Sequence, residues 1–325
     1  MKSSVVLCTY NGAHFLGEQL HSLLTQTVLP DEIIIQDDQS EDDTWCQLQQ
    51  FAEQALHQGV SVHLFRNPRN LGYVKNFETA LQKSSGEIIF LADQDDIWHP
   101  DKLERYLAQF TQRPDLGLLH SDADLVDGNA RPMGHRLFEV LRVTREELAA
   151  IHCGDVFPCL LRRNLMTGAT MAIRRKVLDL ALPVEEGWIH DEWLAVIAAA
   201  AMQVDCLEWS SMGYRQHENN QIGARKAGWR DNLRRLVRLR RYHIRQLCIR
   251  MECLRQRLRQ LPADMVSPAY LACLDERIEH GRHRAAMPDS LPARLKLIRA
   301  ETGRKHYRKF ASGWKSIAVD ILNLH

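Results

Sequence analysis

The feature that most constrains this chain is an alternation in its first 110 residues, where short apolar runs trade places with stretches of helical period. The runs SVVLC (4–8), EIIIQD (32–37), VSVHLF (60–65) and EIIFLAD (87–93) read as strands. Between and after them lie predicted helices: 14–26, with Leu16, Leu20, Leu23 and Leu24 on one stripe, then 41–56, 72–84, and 100–110 with Pro100 in its first turn. Strands that are almost continuously apolar belong to a parallel sheet covered on both faces, so the fold class is α/β, a mostly parallel sheet flanked by helices. Such sheets bind ligands outside the carboxyl ends of their strands. Polar clusters fall at those ends: TYN (9–11), DDQSEDD (37–43), NPRN (67–70) and DQDD (93–96).

The rest is less regular. LGLLHSDADLVD (116–127) reads as a strand followed by an acidic turn, and GATMAI (168–173) as a short strand. TREELAAI (144–151) opens on a Thr144/Glu147 capping-box pattern. The helix at 189–202 is entered through an acidic pair, and QVDCLEW and SMGYRQH read as the last strands. After Gly223 the pattern turns helical and strongly basic: residues 1–223 carry 18 Lys/Arg against 32 Asp/Glu, and residues 224–325 carry 24 against 9. The overall charge of +1 therefore hides an acidic body and a basic tail, with Arg alternating with Leu233, Leu236, Val237, Leu239, Ile244, Leu247 and Leu254 over 230–261. No apolar run approaches the ~20 residues of a membrane-spanning helix, and the N-terminal run is too short for a signal peptide. Eight scattered cysteines without a CxxC pair read as reduced thiols, which suits a cytoplasmic protein.

Asp93 and Asp95 follow an apolar strand two residues apart, and in an extended chain such residues point the same way. Two hard oxygen ligands on one spot suit Mg²⁺ or Mn²⁺ shared with a phosphate substrate. The plain alternative is a helix start decorated with acids, a reading that suits Asp96, expected to steady the turn into the Pro100 helix. Asp122 and Asp124 repeat the spacing and are assigned to the acceptor side or a turn. Trp98 reads as a core residue at the strand–helix junction. Neither a P-loop nor a dinucleotide-binding glycine pattern is present.

Taken together, SVVLCTYNG, EIIIQDDQSEDDT, NLGYVKNFETAL and GEIIFLADQDDIWHPDKLE resemble the nucleotide-binding half of family 2 glycosyltransferases, enzymes of the GT-A fold. Weaker matches, HSDADLVD, LMTGATMAIRR, HDEWLA and YRQHENNQIG, are similar to the bacterial sub-group that builds O-antigen and capsule, rhamnosyltransferases in particular. The resemblance implies a GT-A domain over 1–223, with 1–110 as its nucleotide-binding half and 111–223 as its acceptor and base half, followed by a basic helical region over 224–325. It implies an inverting, metal-dependent transfer from a nucleoside-diphosphate sugar, dTDP-rhamnose or a UDP-hexose, to a glycan or lipid-linked glycan.

By the same resemblance, Thr9, Tyr10 and Asn11 line the base and ribose pocket, and Asp37 or Asp38 accepts from the base. Gln39 stands where that turn has Gly. Asn70, Lys75 and Asn76 lie near the ribose and phosphates, Asp93 and Asp95 hold the metal, and Asp191 is the general base, with Glu192 its nearest competitor. Arg215 and His217 close over the pyrophosphate or complete the metal shell; His190 is a supporting or surface residue. Transfer needs a leaving group neutralised by a divalent cation and a base for the acceptor hydroxyl; Asp93 and Asp95 would hold the cation and Asp191 would be the base. The basic tail reads as a helix lying on anionic lipid at the inner membrane face, a bundle packed on the acidic body, or a homodimer interface, and not as a nucleic-acid module. Two other functions compete: a nucleotidyltransferase or phosphohydrolase using the same rim, which would not need Asp191, and a non-catalytic adaptor recruiting partners through its tail.

Overall fold

The computed structural model describes residues 1–217 and 232–322, with the side chains of 232–242 not described. In chain order the elements are β1 (Ser3–Thr9), α1 (Ala13–Leu24), β2 (Glu32–Asp37), α2 (Thr44–His57), β3 (Ser61–Arg66), α3 (Tyr73–Lys83), β4 (Ile88–Ala92), β5 (Ile97–Trp98) and α4 (Lys102–Gln112). There follow β6 (Leu116–Val126), β7 (Pro132–Arg136), α5 (Leu137–Val140), α6 (Arg145–His152), α7 (Phe157–Leu160), β8 (Ala172–Arg174), α8 (Arg175–Ala181), α9 (His190–Ala201) and β9 (Gln203–Arg215). The chain closes with α10 (Asn232–Gln260), α11 (Pro268–Ala285), α12 (Leu291–Gly303), α13 (His306–Phe310) and α14 (Trp314–Ile321). Among the described residues, 1–154, 165–184 and 189–217 form one compact unit, and 155–164, 185–188 and 232–322 form another. The segments 155–164 and 185–188, read from sequence as parts of the first domain, thus group with the tail.

The first unit is built on one sheet of order β3-β2-β1-β4-β8-β6-β9-β5, with β7 paired to β6. Strands β3, β2, β1 and β4 are parallel, as their uninterrupted apolar residues require: Val5, Val6, Ile33, Ile35, Phe90 and Leu91 are buried whichever face they point to. The antiparallel β8 is wedged between β4 and β6, and β9 runs parallel to β6. Strand β6 runs straight through the acids to Val126, so Asp122 and Asp124 lie in a strand and not in a turn. Asp122 Oδ1 accepts from the backbone N–H groups of Ala123 and Phe138, both at 2.9 Å, which makes it a fastener of α5. The two last strands expected after residue 202 are one, β9, which follows β6 through register shifts at Ser121–Asp124. The expected strand at 168–173 divides into a 3-10 turn, Gly168–Thr170, and β8. The Thr144 capping box forms with both of its hydrogen bonds.

The second unit is helical. Cys248, Met251, Leu254 and Leu258 of α10 and Cys273, Leu274 and Ile278 of α11 are buried where the two helices pack along each other. A Cβ on Gly281 would stand 2.6 Å from Cys248 Sγ, so glycine sets that helix spacing. Met287, Ile298 and Tyr307 form a second apolar cluster. Much of the Arg/Leu stripe read over 230–261, including Leu233, Leu236, Val237 and Leu239, lies outside the described side chains, as do residues 218–223 of the last sequence motif. No helix among the described residues is long and apolar enough to cross a membrane.

Candidate active site

The parallel register delivers the four polar clusters to one rim. Thr9, at the end of β1, donates from its hydroxyl to Asp37 Oδ1 at 3.0 Å, and its carbonyl accepts from Asp38 N–H at 2.8 Å. Asp37 also accepts from Ser40 N–H at 2.9 Å and faces Arg66 Nε at 3.3 Å. Asp38 accepts from Asn67 Nδ2 at 2.7 Å and from the backbone N–H groups of Leu71 and Gly72 at 2.8 and 2.9 Å. Gln39 adopts φ +63°, the conformation that a glycine takes freely and other residues adopt at a cost of about 1–2 kcal/mol, and the hydrogen bonds on either side hold it there. Both carboxylates, expected to meet the nucleobase, are buried and occupied within the rim.

The other nucleotide candidates divide. Tyr10 is exposed, and Asn11, at φ +47°, has its N–H on Ser40 Oγ at 2.9 Å and its side-chain oxygen on Glu41 N–H at 2.8 Å. Asn70 is exposed and caps Gly72 N–H at 3.0 Å, while Lys75 pairs with Glu78 at 2.9 Å. Asn76 is buried: it donates to the Gln36 carbonyl at 3.0 Å and accepts from Asn67 at 2.9 Å, a strut beneath the rim and not a group facing outward.

The acidic loop differs from the extended geometry read in the sequence. Strand β4 stops at Ala92 and the chain turns at Gln94–Asp95, so Asp93 and Asp95 are disposed by a turn. Gln94 explains that turn. Its Oε1 accepts from Tyr10 N–H at 2.8 Å and its Nε2 donates to the Tyr10 carbonyl at 3.0 Å, clasping the loop to the end of β1. The clasp requires Gly12, where a Cβ would come within 2.2 Å of Gln94 Oε1.

Asp96 does not steady the Pro100 helix. It is fully buried, its Oδ1 accepts from Arg215 N–H at 3.1 Å, and its Oδ2 has no hydrogen-bond partner among the described residues. Arg215 is buried to 1% exposure and faces inward. Its guanidinium donates to the Asp95 carbonyl at 2.7 Å, the Gly128 carbonyl at 2.8 Å and the Glu18 carboxylate, and stacks over Phe15 at 4.8 Å. The group expected to close over a pyrophosphate therefore braces the loop from behind. His217 does reach the acids, with Nε2 at 2.8 Å from Asp95 Oδ2.

Beneath the loop, Lys102 is wholly buried, its ammonium on the Ala169 carbonyl at 2.8 Å and 3.7 Å from the centre of the Trp98 ring. Burial pushes Lys102 down to about 7, against the pull of Asp96 and Asp93. Burial, then Asp95 and Asp191, pushes Asp93 up to about 7. Burial, then Asp95 and Asp93, pushes Asp96 well above the carboxylate range. Three acids thus crowd one place, where among the described residues neither Lys102 nor Arg215 donates a side-chain hydrogen bond to their carboxylates, and Asp96 keeps an unpartnered oxygen there. That is an environment a divalent cation fits, with Asp93, Asp95 and His217 as its oxygen and nitrogen donors.

Asp191 stands in the first turn of α9, half-buried. Its Oδ2 accepts from Gly168 N–H at 3.0 Å and its Oδ1 from Glu192 N–H at 2.6 Å. Burial pushes it up to about 6 in spite of both bonds, and its charge acts on Asp93. His190 is a buried ring stacked on Phe77 at 4.1 Å, not a surface residue. The sequence reading missed Gln94, Asn67 and Lys102. Asn67 opens the NPRN cluster already placed on the rim, whereas nothing local marks Gln94, whose partner Tyr10 is 84 residues away, or Lys102.

The glycosyl transferase family 2 profile matches residues 4–178, and the chain belongs to that family: it is a glycosyltransferase. It is 29% identical over 236 residues, 70% of this chain and 69% of the relative, to an uncharacterized glycosyltransferase of Nostoc sp.. It is 26% identical over 127 residues, 39% of this chain, to the UDP-Glc:alpha-D-GlcNAc-diphosphoundecaprenol beta-1,3-glucosyltransferase WfgD of Escherichia coli, of which it spans 47%. Of the uncharacterized glycosyltransferase YwdF of Bacillus subtilis, 32% identical over 143 residues and 42% of this chain, it spans 50%. In fold it is similar to S. aureus TarS 1–349 in complex with UDP, with TM-score 0.53, 18% identity, and 100% and 89% of the two chains covered. It is likewise similar to the mannosyltransferase PcManGT of Pyrobaculum calidifontis in complex with GDP-Man and Mn2+, with TM-score 0.52, 19% identity, and 99% and 84% covered.

Proposed function

We propose that this glycosyltransferase moves a sugar, with inversion, from a nucleoside-diphosphate donor to a hydroxyl of a cell-surface glycan or its lipid-linked precursor. The observation that supports the reading is the acidic loop at the end of β4, where His217 meets Asp95 at 2.8 Å and the buried Asp96 keeps an unpartnered oxygen among the described residues. In this reading residues 1–110 hold the donor and residues 111–223 bring the base.

Asp191 takes the proton from the acceptor hydroxyl as that oxygen attacks the anomeric carbon, and the two backbone N–H groups on it fix which lone pair faces the acceptor. A carboxylate raised to about 6 is still ionised at neutral pH and is a stronger base than an exposed one. Exposed Tyr10 and Asn70 border the base and ribose, while Asp37, Asp38, Asn76 and Arg215 keep the rim rigid. Asp93, Asp95 and His217 are the residues to hold Mg²⁺ or Mn²⁺, which when bound neutralises the diphosphate leaving group as a Lewis acid. The Mn2+ in PcManGT and the undecaprenol-linked acceptor in the name of WfgD support the metal and the acceptor class.

The donor proposed first is dTDP-rhamnose, with UDP-hexoses as the competing donors. Thermal unfolding in UDP, dTDP and GDP, each with Mg²⁺ or Mn²⁺, tests the reading, followed by a transfer screen with the matching sugars. A nucleotide at 100-fold its Kd adds about 2.7 kcal/mol of stability, several degrees in Tm. Unchanged Tm in every combination would sink the reading; a rise with UDP alone would remove the rhamnosyl donor.

A further inference from the structure

The helical unit carries a cluster that sugar transfer does not use. His280 on α11, Glu301 on α12 and His306 on α13 meet in its interior. His280 Nδ1 lies 2.6 Å and His306 Nδ1 3.0 Å from the same oxygen, Glu301 Oε2, and the three donor atoms all fall within 4.8 Å of one another. The three residues are sealed, at 0%, 1% and 4% exposure for His280, Glu301 and His306. One helical turn along α11, the partly exposed His283 reaches the other oxygen, Glu301 Oε1, through Nδ1 at 2.9 Å.

As a hydrogen-bond device this arrangement is poor. Elsewhere the chain satisfies a buried carboxylate without imidazoles: Glu32 takes two serine hydroxyls, a backbone N–H and the Lys2 ammonium at 2.9 Å. Around Glu301 three imidazoles supply the close contacts, with the Arg304 guanidinium 3.8 Å away and paired more closely to Glu279, and His280 Nε2 is buried with no hydrogen-bond partner among the described residues. The bond to the ionised Glu301 carboxylate is charge-assisted, yet the stranded ring nitrogen offsets much of it, whereas a coordinate bond at Nδ1 outweighs that cost.

We propose that His280, Glu301 and His306 bind a divalent transition-metal cation, Zn²⁺ foremost, that fastens α11, α12 and α13 together. Two imidazole nitrogens and a carboxylate oxygen are a borderline-soft set suited to Zn²⁺ and poorly suited to Mg²⁺. A tetrahedral site with bonds of about 2.0–2.1 Å holds its ligand atoms about 3.4 Å apart; the two separations from Glu301 Oε2, 2.6 and 3.0 Å, need to open by less than 1 Å, and the two imidazole nitrogens lie within 4.8 Å of each other. On binding, each coordinating Nδ1 gives up its proton and the neutral ring carries one on Nε2 instead. His283 either supplies the fourth bond or keeps its hydrogen bond to Glu301 as outer support, and its exposed edge is the way in. Aromatic rings wall the site: Tyr307 meets His280 edge-on at 5.0 Å and Phe310 lies 5.7 Å from His306. The nearby Arg284 is matched by Asp320, which also holds Tyr307.

The test uses the full chain with Asp93→Asn and Asp95→Asn, so that metal on the catalytic acids is not counted. After loading with Zn²⁺ and dialysis into metal-free buffer, elemental analysis is expected to find one zinc per chain. X-ray absorption at the zinc edge should show nitrogen and oxygen neighbours at about 2.0–2.1 Å with imidazole scattering. Glu301→Gln and His306→Gln should each release the zinc, and His283→Ala should weaken it by about 10–100-fold. Should those variants fail to fold, the unsubstituted site decides: a chelator must lower Tm, and Zn²⁺ but not Mg²⁺ must restore it. No retained zinc, sulfur in the shell, zinc kept by folded Glu301→Gln, or a Tm indifferent to the chelator each overturns the proposal.

Discussion

Replacing Asp191 by Asn separates catalysis from folding. Removing a positioned base costs about 10²–10⁴ in rate, or about 2.7–5.5 kcal/mol of barrier. The folded state should not suffer with it. Burial raises the Asp191 carboxyl from 3.8 to about 6, so its ionised form is disfavoured in the folded protein by about 3 kcal/mol. Asn carries no charge and escapes that penalty. It keeps one oxygen for the two N–H groups of Gly168 and Glu192, and the lost hydrogen bond costs about 1 kcal/mol. At pH 8 the variant is therefore expected to be as stable as the parent or about 1–2 kcal/mol more stable.

The sign follows from proton linkage. A carboxyl whose folded pKa is raised binds its proton more tightly when folded, so the parent loses stability as pH climbs from about 4 to about 6. The variant lacks that loss. In the same window the parent's transfer rate should fall as pH drops below about 6, in step with the ionised fraction of Asp191. Product formation, nucleotide affinity by calorimetry and denaturant unfolding on the same preparations supply the three readouts. Transfer within tenfold of the parent, or a Tm several degrees lower, would show that Asp191 is a helix-start fastener and not the base.

The clasp at the acidic loop predicts a double-mutant cycle. Gly12→Ala should dislodge the Gln94 amide and cost about 1–3 kcal/mol in stability, as should Gln94→Ala, and the double variant should cost little more than either; full additivity in denaturant unfolding would refute the contact. Arg215→Lys should lower stability by at least about 2 kcal/mol, because one ammonium cannot serve the Asp95 and Gly128 carbonyls and Glu18 together. An unchanged Tm with a raised KM for the donor would return Arg215 to the pyrophosphate.

Strands β1, β2 and β4 were legible because in a parallel sheet burial on both faces writes itself as an unbroken apolar run, and β3, at the edge of the sheet, by its alternation. The ends of these runs marked the rim and placed Asp93 and Asp95 on it, whereas Asp191, in the first turn of α9, came only from the family resemblance. The Thr144 capping box was legible because its partners are three residues apart. Reading failed where a partner is distant in sequence. Nothing near residue 172 says that a short strand will wedge between β4 and β6, and nothing near Arg215 says that its guanidinium will turn inward onto Asp95, Gly128 and Glu18. Asp37, Asp38 and Asn76 carry the residue types of a ligand site, yet neighbours from other strands and loops occupy them. The sequence by itself determined the parallel strands β1 to β4 and the polar rim at their ends, because apolar burial and strand ends are local properties. Only the tertiary structure decided which of the acids there face outward and which are already satisfied, because a buried polar group is settled by whichever donor the fold brings to it.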